Sequence, residues 1–382
     1  MQLVIRLLDE YYLSIMEKIN IGVVGACRRG AAFKTALDTL DEVCVRAVCD
    51  IHAAGLDESA ASLGASEKYV EYEEMLERAK IDAVLLATPM HLHAPQAIRA
   101  LQQNLHVLSE VTAAISIDQC KDLVRAARAS QGIYMLAENC NYFRHNVAVR
   151  EMVRQGLFGI PYYAEGAYLH ELKHLNETTP WRRKWQTGIE GITYGTHSLG
   201  PILQWMAQDR LTAVCCAGSG HHYRDPRGAK YAQDTSVMLG KMQQGGLVKI
   251  RLDMLSERPP VTTTYQLQGT EGCFESARSP EEKHRVWLAS RCPDSHTWID
   301  LEEVAREFLP PAWHQTAEKA KGAGHGGADF FVLQEFIDAL RENRPPEIGI
   351  HEAMDMTLPG LCSQHSMQNE GTWIEVPDSR SW

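Results

Sequence analysis

The chain lacks the marks of several protein classes. No stretch approaches the ~20 apolar residues of a membrane span. No C-x-x-C pair occurs among its ten cysteines, and several lie inside apolar runs such as VCVRAVC and AVCCAG. Zinc ribbons and dithiol redox motifs are therefore excluded, and the cysteines read as reduced core thiols of a cytosolic protein. Basic residues are in deficit: 38 Lys and Arg against 49 Asp and Glu give a net charge of −11. Such a chain is repelled by phosphate backbones and anionic lipid, which argues against nucleic acid or a membrane as its partner. The N-terminus carries Asp9 and Glu10 and no small-residue cleavage site, so it does not read as a signal peptide. Met16 reads as the natural start, the first fifteen residues as a short extension, and the cytoplasm as the compartment. Repeats and low-complexity tracts are absent as well.

What remains is globular. The 382 residues, 45% apolar and 23% charged, suit two or three domains. Short apolar runs alternate with helical stretches through the first third: 18–25, 43–50, 81–89, 105–110 and 132–138, with helices at 29–40, 95–104 and 117–130 between them. Such runs are typical of strands buried on both faces, and the intervening helices predict crossovers and a parallel sheet. The expectation is a doubly wound dinucleotide-binding domain over 16–140. From 141 to 382 strands follow one another with few helices (LTAVCCAG, TSVMLGKMQ, LVKIRLDML, VTTTYQLQG, EGCFESA), which predicts an α/β domain with an open, mostly antiparallel sheet. Its exposed face is expected to pair with another copy, and its C-terminal segment to pack back on the core. The stretch 276–323 reads as the most loop-like.

The segment GACRRG, Gly25 to Gly30, ends the first strand and opens the first helix. Glycines there allow a tight turn and close approach to a pyrophosphate, while backbone N–H groups and the helix dipole favour the phosphate. Cys27 stands where the fingerprint has its middle glycine. Asp50 closes the second strand, twenty residues on, where an acid holds a ribose diol. It would repel a 2′-phosphate, and Ile51 and His52 offer no Arg to receive one, so the expected cofactor is NAD rather than NADP.

Three further segments carry a family resemblance: ATPMHLHAP (Ala87 to Pro95), SEVTA (Ser109 to Ala113) and ENCNY (Glu138 to Tyr142). With the glycine turn they resemble the Gfo/Idh/MocA oxidoreductases. That resemblance implies NAD at the carboxyl edge of the first sheet, against Gly25, Cys27, Arg28, Arg29, Gly30, Asp50, Thr88, Pro89, His91, His93, Glu110 and Asn139. The usual Lys of the E-K-P turn is Val111 here, and Thr193 stands where an Asp usually precedes the functional His by four residues. Valine transfers no proton, which argues against a plain sugar dehydrogenase.

EGAYLHE (Glu165 to Glu171), PWRR (Pro180 to Arg183), YGTHSLGP (Tyr194 to Pro201) and GHGGAD (Gly324 to Asp329) look like the NAD-dependent glycosidase branch, the α-N-acetylgalactosaminidase type. The resemblance implies a small-molecule glycoside substrate. It makes Tyr168 and His197 catalytic and places Glu138, His170, Trp181, Arg182, Tyr194 and His325 at the substrate. In that chemistry, transient oxidation at sugar C3 acidifies C2–H. Elimination across C1–C2, hydration and re-reduction complete a redox-neutral hydrolysis. The residues alone leave other readings open. Tyr168 also suits a strand core, His197 a helix entry, Glu110 and Glu138 turn caps, His325 a flexible turn, and Trp181 packing beneath its loop. A net sugar dehydrogenase or 3-keto-glycoside reductase, and a non-catalytic NAD and sugar sensor, are the alternatives. No metal is expected: His170 and His174 on one strand face would stand about 13 Å apart, too far to chelate one ion.

Overall fold

Six short apolar strands pair in parallel in the order β3-β2-β1-β4-β5-β6. They are β1 (Ile19–Val24), β2 (Val43–Cys49), β3 (Glu67–Tyr69), β4 (Ala83–Leu86), β5 (His106–Ser109) and β6 (Tyr134–Leu136). The computed structural model describes residues 18–206, 209–259, 261–316 and 318–382. Met16, read as the start, and the fifteen residues before it lie outside them. Val84, Leu85, Leu86, Val107 and Leu108 are buried because helices α1 (Leu56–Leu63), α2 (His93–Gln102) and α3 (Ile117–Ala129) cover the sheet. The strand order places a switch point at the carboxyl ends of β1 and β4, where doubly wound sheets take their ligands. The helix expected at 29–40 is shorter: a 3₁₀ turn, Gly30–Phe33, runs into one α turn, Lys34–Leu37.

After α4 (Arg144–Arg154) the chain forms a nine-stranded sheet in the order β14-β13-β12-β11-β7-β10-β9-β8-β15. Its strands are β7 (Pro161–Leu169), β8 (Leu211–Gly218), β9 (Thr235–Met242), β10 (Leu247–Asp253), β11 (Thr263–Gly269), β12 (Gly272–Glu275), β13 (Arg285–Leu288), β14 (Ile299–Asp300) and β15 (Ile374–Glu375). All neighbours are antiparallel except β7 and β10. Helices α5 (Thr196–Trp205) and α6 (Ala328–Glu342) follow, and α7 (Ile350–Gln368) packs against both β8 and α3 of the first sheet. The stretch 276–323 is not a loop. It holds β13, β14 and the helix Leu301–Phe308, which Asp300 caps at its N-terminus and which buries Leu301, Ala305 and Phe308. Among the described residues no helix is long and apolar enough to cross a membrane.

Helix α5 is buried on all sides, and two glycines let it sit so deep. A Cβ on Gly166 of β7 would come within 2.9 Å of Ser198 Cβ, and one on Gly200 within 2.2 Å of Asn141 Oδ1. The helix is thereby clamped between β7 and the turn after β6. Pro201 has no N–H to offer the carbonyl four residues back, that of His197. The hydroxyl of Tyr265 donates to that oxygen instead, at 2.6 Å. Sequence breaks the helical ladder at one point, and the sheet repairs it there.

At the other edge, His145 stacks on His284 with ring centres 4.1 Å apart. Burial holds both imidazoles below their ordinary range; His284 lowers His145 further, while Glu302 and Asp300 partly offset the burial of His284. Unfolding restores the ordinary value near 6.5, so the unfolded chain binds more protons below it. Stability is whole above about pH 6.5 and falls as pH drops below it, by up to about 1.4 kcal/mol per pH unit per histidine. Urea midpoints at pH 8 and pH 5 measure this. The His145→Phe variant is expected to flatten the slope, and an unchanged slope would refute the assignment.

Candidate active site

The glycine turn forms as the sequence predicts. Gly25 has φ +80°, and a Cβ there would lie 2.5 Å from the Ala87 carbonyl oxygen. A Cβ on Gly30 would lie 2.8 Å from Val23 Cγ1. Both positions need glycine, and no side chain stands between the turn's backbone and a pyrophosphate. Asp50 closes the turn: its carboxylate accepts from Cys27 N and from His52 N, each at 2.9 Å. Cys27 turns its sulfur toward Ser59 and His52, away from the turn's mouth, and burial pushes its thiol up. Arg28 is exposed. These residues fit NAD.

The next turns line up at the carboxyl ends of β4, β5 and β6. Thr88 donates to Gln96 Oε1 at 2.6 Å, and Pro89 leads into the 3₁₀ turn Met90–Leu92. His93, expected at the cofactor, is buried instead with its two ring nitrogens on the carbonyls of Thr112 and Thr88, at 2.9 and 2.7 Å. It ties the turn after β4 to the turn after β5, and so supports the cofactor wall from behind. His91 stacks on Trp185 at 4.9 Å, joining that wall to the second domain's Trp-rich loop. In the same loop the Arg182 guanidinium lies 4.6 Å over Trp181 and donates to Thr179 and Gln186.

Three predicted residues converge on one acid, Asp329, and a fourth, Glu110, joins them through Arg29. Arg29 donates to both oxygens of Asp329 at 2.7 and 3.0 Å and to Glu110 Oε1 at 2.7 Å. His325 Nδ1 lies 3.0 Å from the same Asp329 carboxylate, and Asn139 Nδ2 donates to it at 3.4 Å. Burial would raise Asp329, but His325 and Arg29 hold it well below the usual carboxylate range. Gly324 makes room, since a Cβ there would stand 2.4 Å from Asp329 Oδ2. Arg29 and Glu110 thus tie the dinucleotide turn to the start of α6.

The second cluster joins the two sheets. Glu138 follows β6 and is fully buried, and its Oε1 lies 2.7 Å from His197 Nδ1 and accepts from Cys140 N at 3.1 Å. Glu138, expected at the sugar, therefore stands behind His197. Burial alone would discharge both partners, but each holds the other's charge: His197 is raised well above its ordinary value and Glu138 lowered. Tyr168 of β7 faces them, its ring 5.2 Å from His197 and 5.5 Å from Tyr194, and Tyr194 is 5.3 Å from His197. Tyr168 Oη lies 2.7 Å from His170 Nδ1. Among the described residues, Glu138, Cys140 and His197 also bring three donor atoms within 4.8 Å of one another. The charged hydrogen bond between two of them accounts for that arrangement without an ion. The Lys and Asp positions of the ordinary pattern carry a buried Val111 and a Thr193 whose hydroxyl is buried without a partner.

Comparison with known proteins agrees in both halves of the chain. Residues 19–138 match the oxidoreductase family with an NAD-binding Rossmann fold, and residues 142–381 match the C-terminal domain of glycosyl hydrolase 109. A glycosyl hydrolase family 109 protein of Shewanella pealeana is 30% identical over 95% of this chain and 86% of its own. The alpha-N-acetylgalactosaminidase of Shewanella oneidensis is 28% identical over 95% and 85%. In fold, the chain is similar to levoglucosan dehydrogenase solved with NADH and levoglucosan, with a TM-score of 0.80 at 19% identity over 95% of this chain and all of that one. The chain belongs to glycosyl hydrolase family 109, with an NAD-binding Rossmann domain of the Gfo/Idh/MocA type over residues 19–138.

Proposed function

We propose that the protein hydrolyses a glycoside by transient oxidation and re-reduction of the sugar, with no net change in its NAD. The observation that carries this reading is the grouping of Tyr168, His197 and Glu138 at the carboxyl edge of the dinucleotide-binding sheet. NAD, when bound, supplies the removal and return of the hydrogen at C3. The protein's residues manage protons and position. His197 in its neutral form accepts the proton of the C3 hydroxyl, and Glu138 stabilises the imidazolium that results. That imidazolium donates to the C3 carbonyl oxygen while the neighbouring C2–H is acidic, and returns the proton at the end. Tyr168 takes the C2 proton as the C1 substituent leaves. Arg182 and Trp181 hold the sugar, with Tyr194 closing over Tyr168.

The relative named as an alpha-N-acetylgalactosaminidase puts N-acetylgalactosaminides first among candidate substrates. The test is a panel of nitrophenyl α- and β-glycosides, with and without added NAD, in D₂O. The reading expects nitrophenol release, deuterium at C2 of the product and no accumulating NADH. NADH formed mole for mole with substrate, without release of nitrophenol, would replace it by a sugar dehydrogenase.

A further inference from the structure

Tyr168 by itself is a poor base. Its side chain is buried, and burial together with Tyr194 pushes the phenol above its ordinary value despite the opposing pull of His197. A free phenolate there would be an unpaired buried anion, a costly state. The surroundings offer a different acceptor. His170 follows Tyr168 by two residues, one past the end of β7, where its N–H still donates to Asp253 O at 2.9 Å and keeps its side chain on Tyr168's side of the extended chain. Its Nδ1 is 2.7 Å from Tyr168 Oη, the length of a good hydrogen bond.

Resting on the glycosidase reading above, we infer that the base at C2 is the Tyr168–His170 pair, in which the phenol passes its own proton to His170 Nδ1 as it receives the proton from C2. The C2–H bond breaks, and its electron pair forms the C1=C2 bond as the C1–O bond breaks. The Tyr168 O–H proton moves to Nδ1, and the C2 proton replaces it on Oη. Tyr168 begins and ends as a neutral phenol, and His170 ends as an imidazolium. That imidazolium supplies the proton the departing aglycone oxygen needs. In the hydration step His170 takes a proton from water, which bonds to C1 through oxygen, and the pair returns a proton to C2.

The environment keeps His170 ready for this role. Burial lowers its proton affinity, Arg182 from the short helix Arg182–Trp185 and His197 from α5 lower it further, and Glu171 beside it partly offsets them. Asp253 of the neighbouring β10 is closed on Arg251 and Thr235. His170 is therefore neutral at pH 7, with the Tyr168 hydroxyl on Nδ1 and its own proton on Nε2. It acts on C2 only through Tyr168, and meets the substrate itself only at the departing oxygen and the incoming water.

Two measurements test this. The first is the tautomer and titration of His170 in the ¹⁵N-histidine NMR spectrum of the cofactor-free protein. The inference expects the Nε2–H tautomer and a midpoint below 6.5, and an Nδ1–H tautomer overturns it, because His170 would then donate to the phenol. The second is the His170→Asn variant, whose side-chain oxygen accepts the phenol hydrogen bond but no proton. On the nitrophenyl glycoside that the wild type hydrolyses, C2 deuterium exchange is expected to fall about 10²-fold or more. NADH formation in a single turnover and substrate Kd should stay within a few-fold. Exchange within threefold of wild type overturns the inference and leaves the glycosidase reading intact. A wild type that neither exchanges C2 nor releases nitrophenol removes both, whereas the NMR result judges the Tyr168–His170 bond alone.

Discussion

The Glu138→Gln variant is expected to turn over about 10²–10⁴-fold more slowly than the wild type and to shift its pH dependence downward. Glutamine keeps the shape and can still accept from His197 Nδ1, so what is lost is the charge. In the wild type that charge outweighs the burial of His197 and raises its proton affinity well above the ordinary 6.5. Turnover begins with neutral His197, so the wild-type rate should climb as pH rises through this raised value. In the variant burial is opposed chiefly by Cys140 alone, and the limb should move down from its wild-type position, with a weaker base as the cause of the lower rate. Stability moves with it. A histidine of raised proton affinity stabilises the fold fully below 6.5 and less as pH passes its folded value. A carboxylate of lowered affinity does so above about 4.5 and less as pH falls through its folded value. The pair is therefore worth most between pH 4.5 and 6.5, where its removal should cost at most about 3–5 kcal/mol, less if His197 sheds its proton. Rate profiles and urea midpoints across this range measure both effects. A limb that stays in place would show that Glu138 does not govern the His197 proton.

How much of this was legible in the residues differs from element to element. The parallel sheet was, because buried strands and crossover helices leave a two-period pattern in composition that needs no partner to be recognised. The helix Leu301–Phe308 was legible too, although 276–323 reads as loop by composition: Asp300 as cap, with Leu301, Ala305 and Phe308 on one face, is a local signal. The Tyr168–His170 bond was also within reach, since residues two apart in an extended chain share a face. Asp329 was not. It lies 300 residues from Arg29, and nothing local says which of many acids will meet a given arginine. Nor could the sequence show that Glu138 faces His197 rather than the sugar. That depends on how closely α5 approaches β6 and β7, which Gly166 and Gly200 permit but do not announce. Long-range polar pairs are settled by packing, and packing is what a single sequence conceals.

Asp329→Ala should be the most damaging single change outside the proton-handling residues, costing about 3 kcal/mol of stability and at least tenfold in NAD affinity. The carboxylate is 1% exposed and is surrounded by donors alone: two from Arg29, one each from His325 and Asn139. Removing it leaves the Arg29 guanidinium with Glu110 as its remaining anion. Water softens the loss, because the Arg29 side chain is 26% exposed, and this sets the expectation at the lower end for a broken buried pair. Asparagine should not rescue it. One oxygen would still accept, but the amide nitrogen would direct two N–H groups at a guanidinium that can only donate. The consequence for NAD follows from position. Arg29 belongs to the turn between Gly25 and Gly30, and with its tether cut the turn is free to move before the cofactor arrives, so ordering it must be done at the expense of binding energy. The wild-type contribution is present above about pH 4 and lost as pH falls toward the lowered value of Asp329. Wild type and variant should therefore converge in stability on the acid side and separate at neutral pH. Calorimetric NAD titration at pH 7 beside urea unfolding at pH 7 and pH 2 reads both consequences. A variant that loses stability but keeps its NAD affinity would make the Arg29–Asp329 link a brace between domains rather than part of the cofactor site.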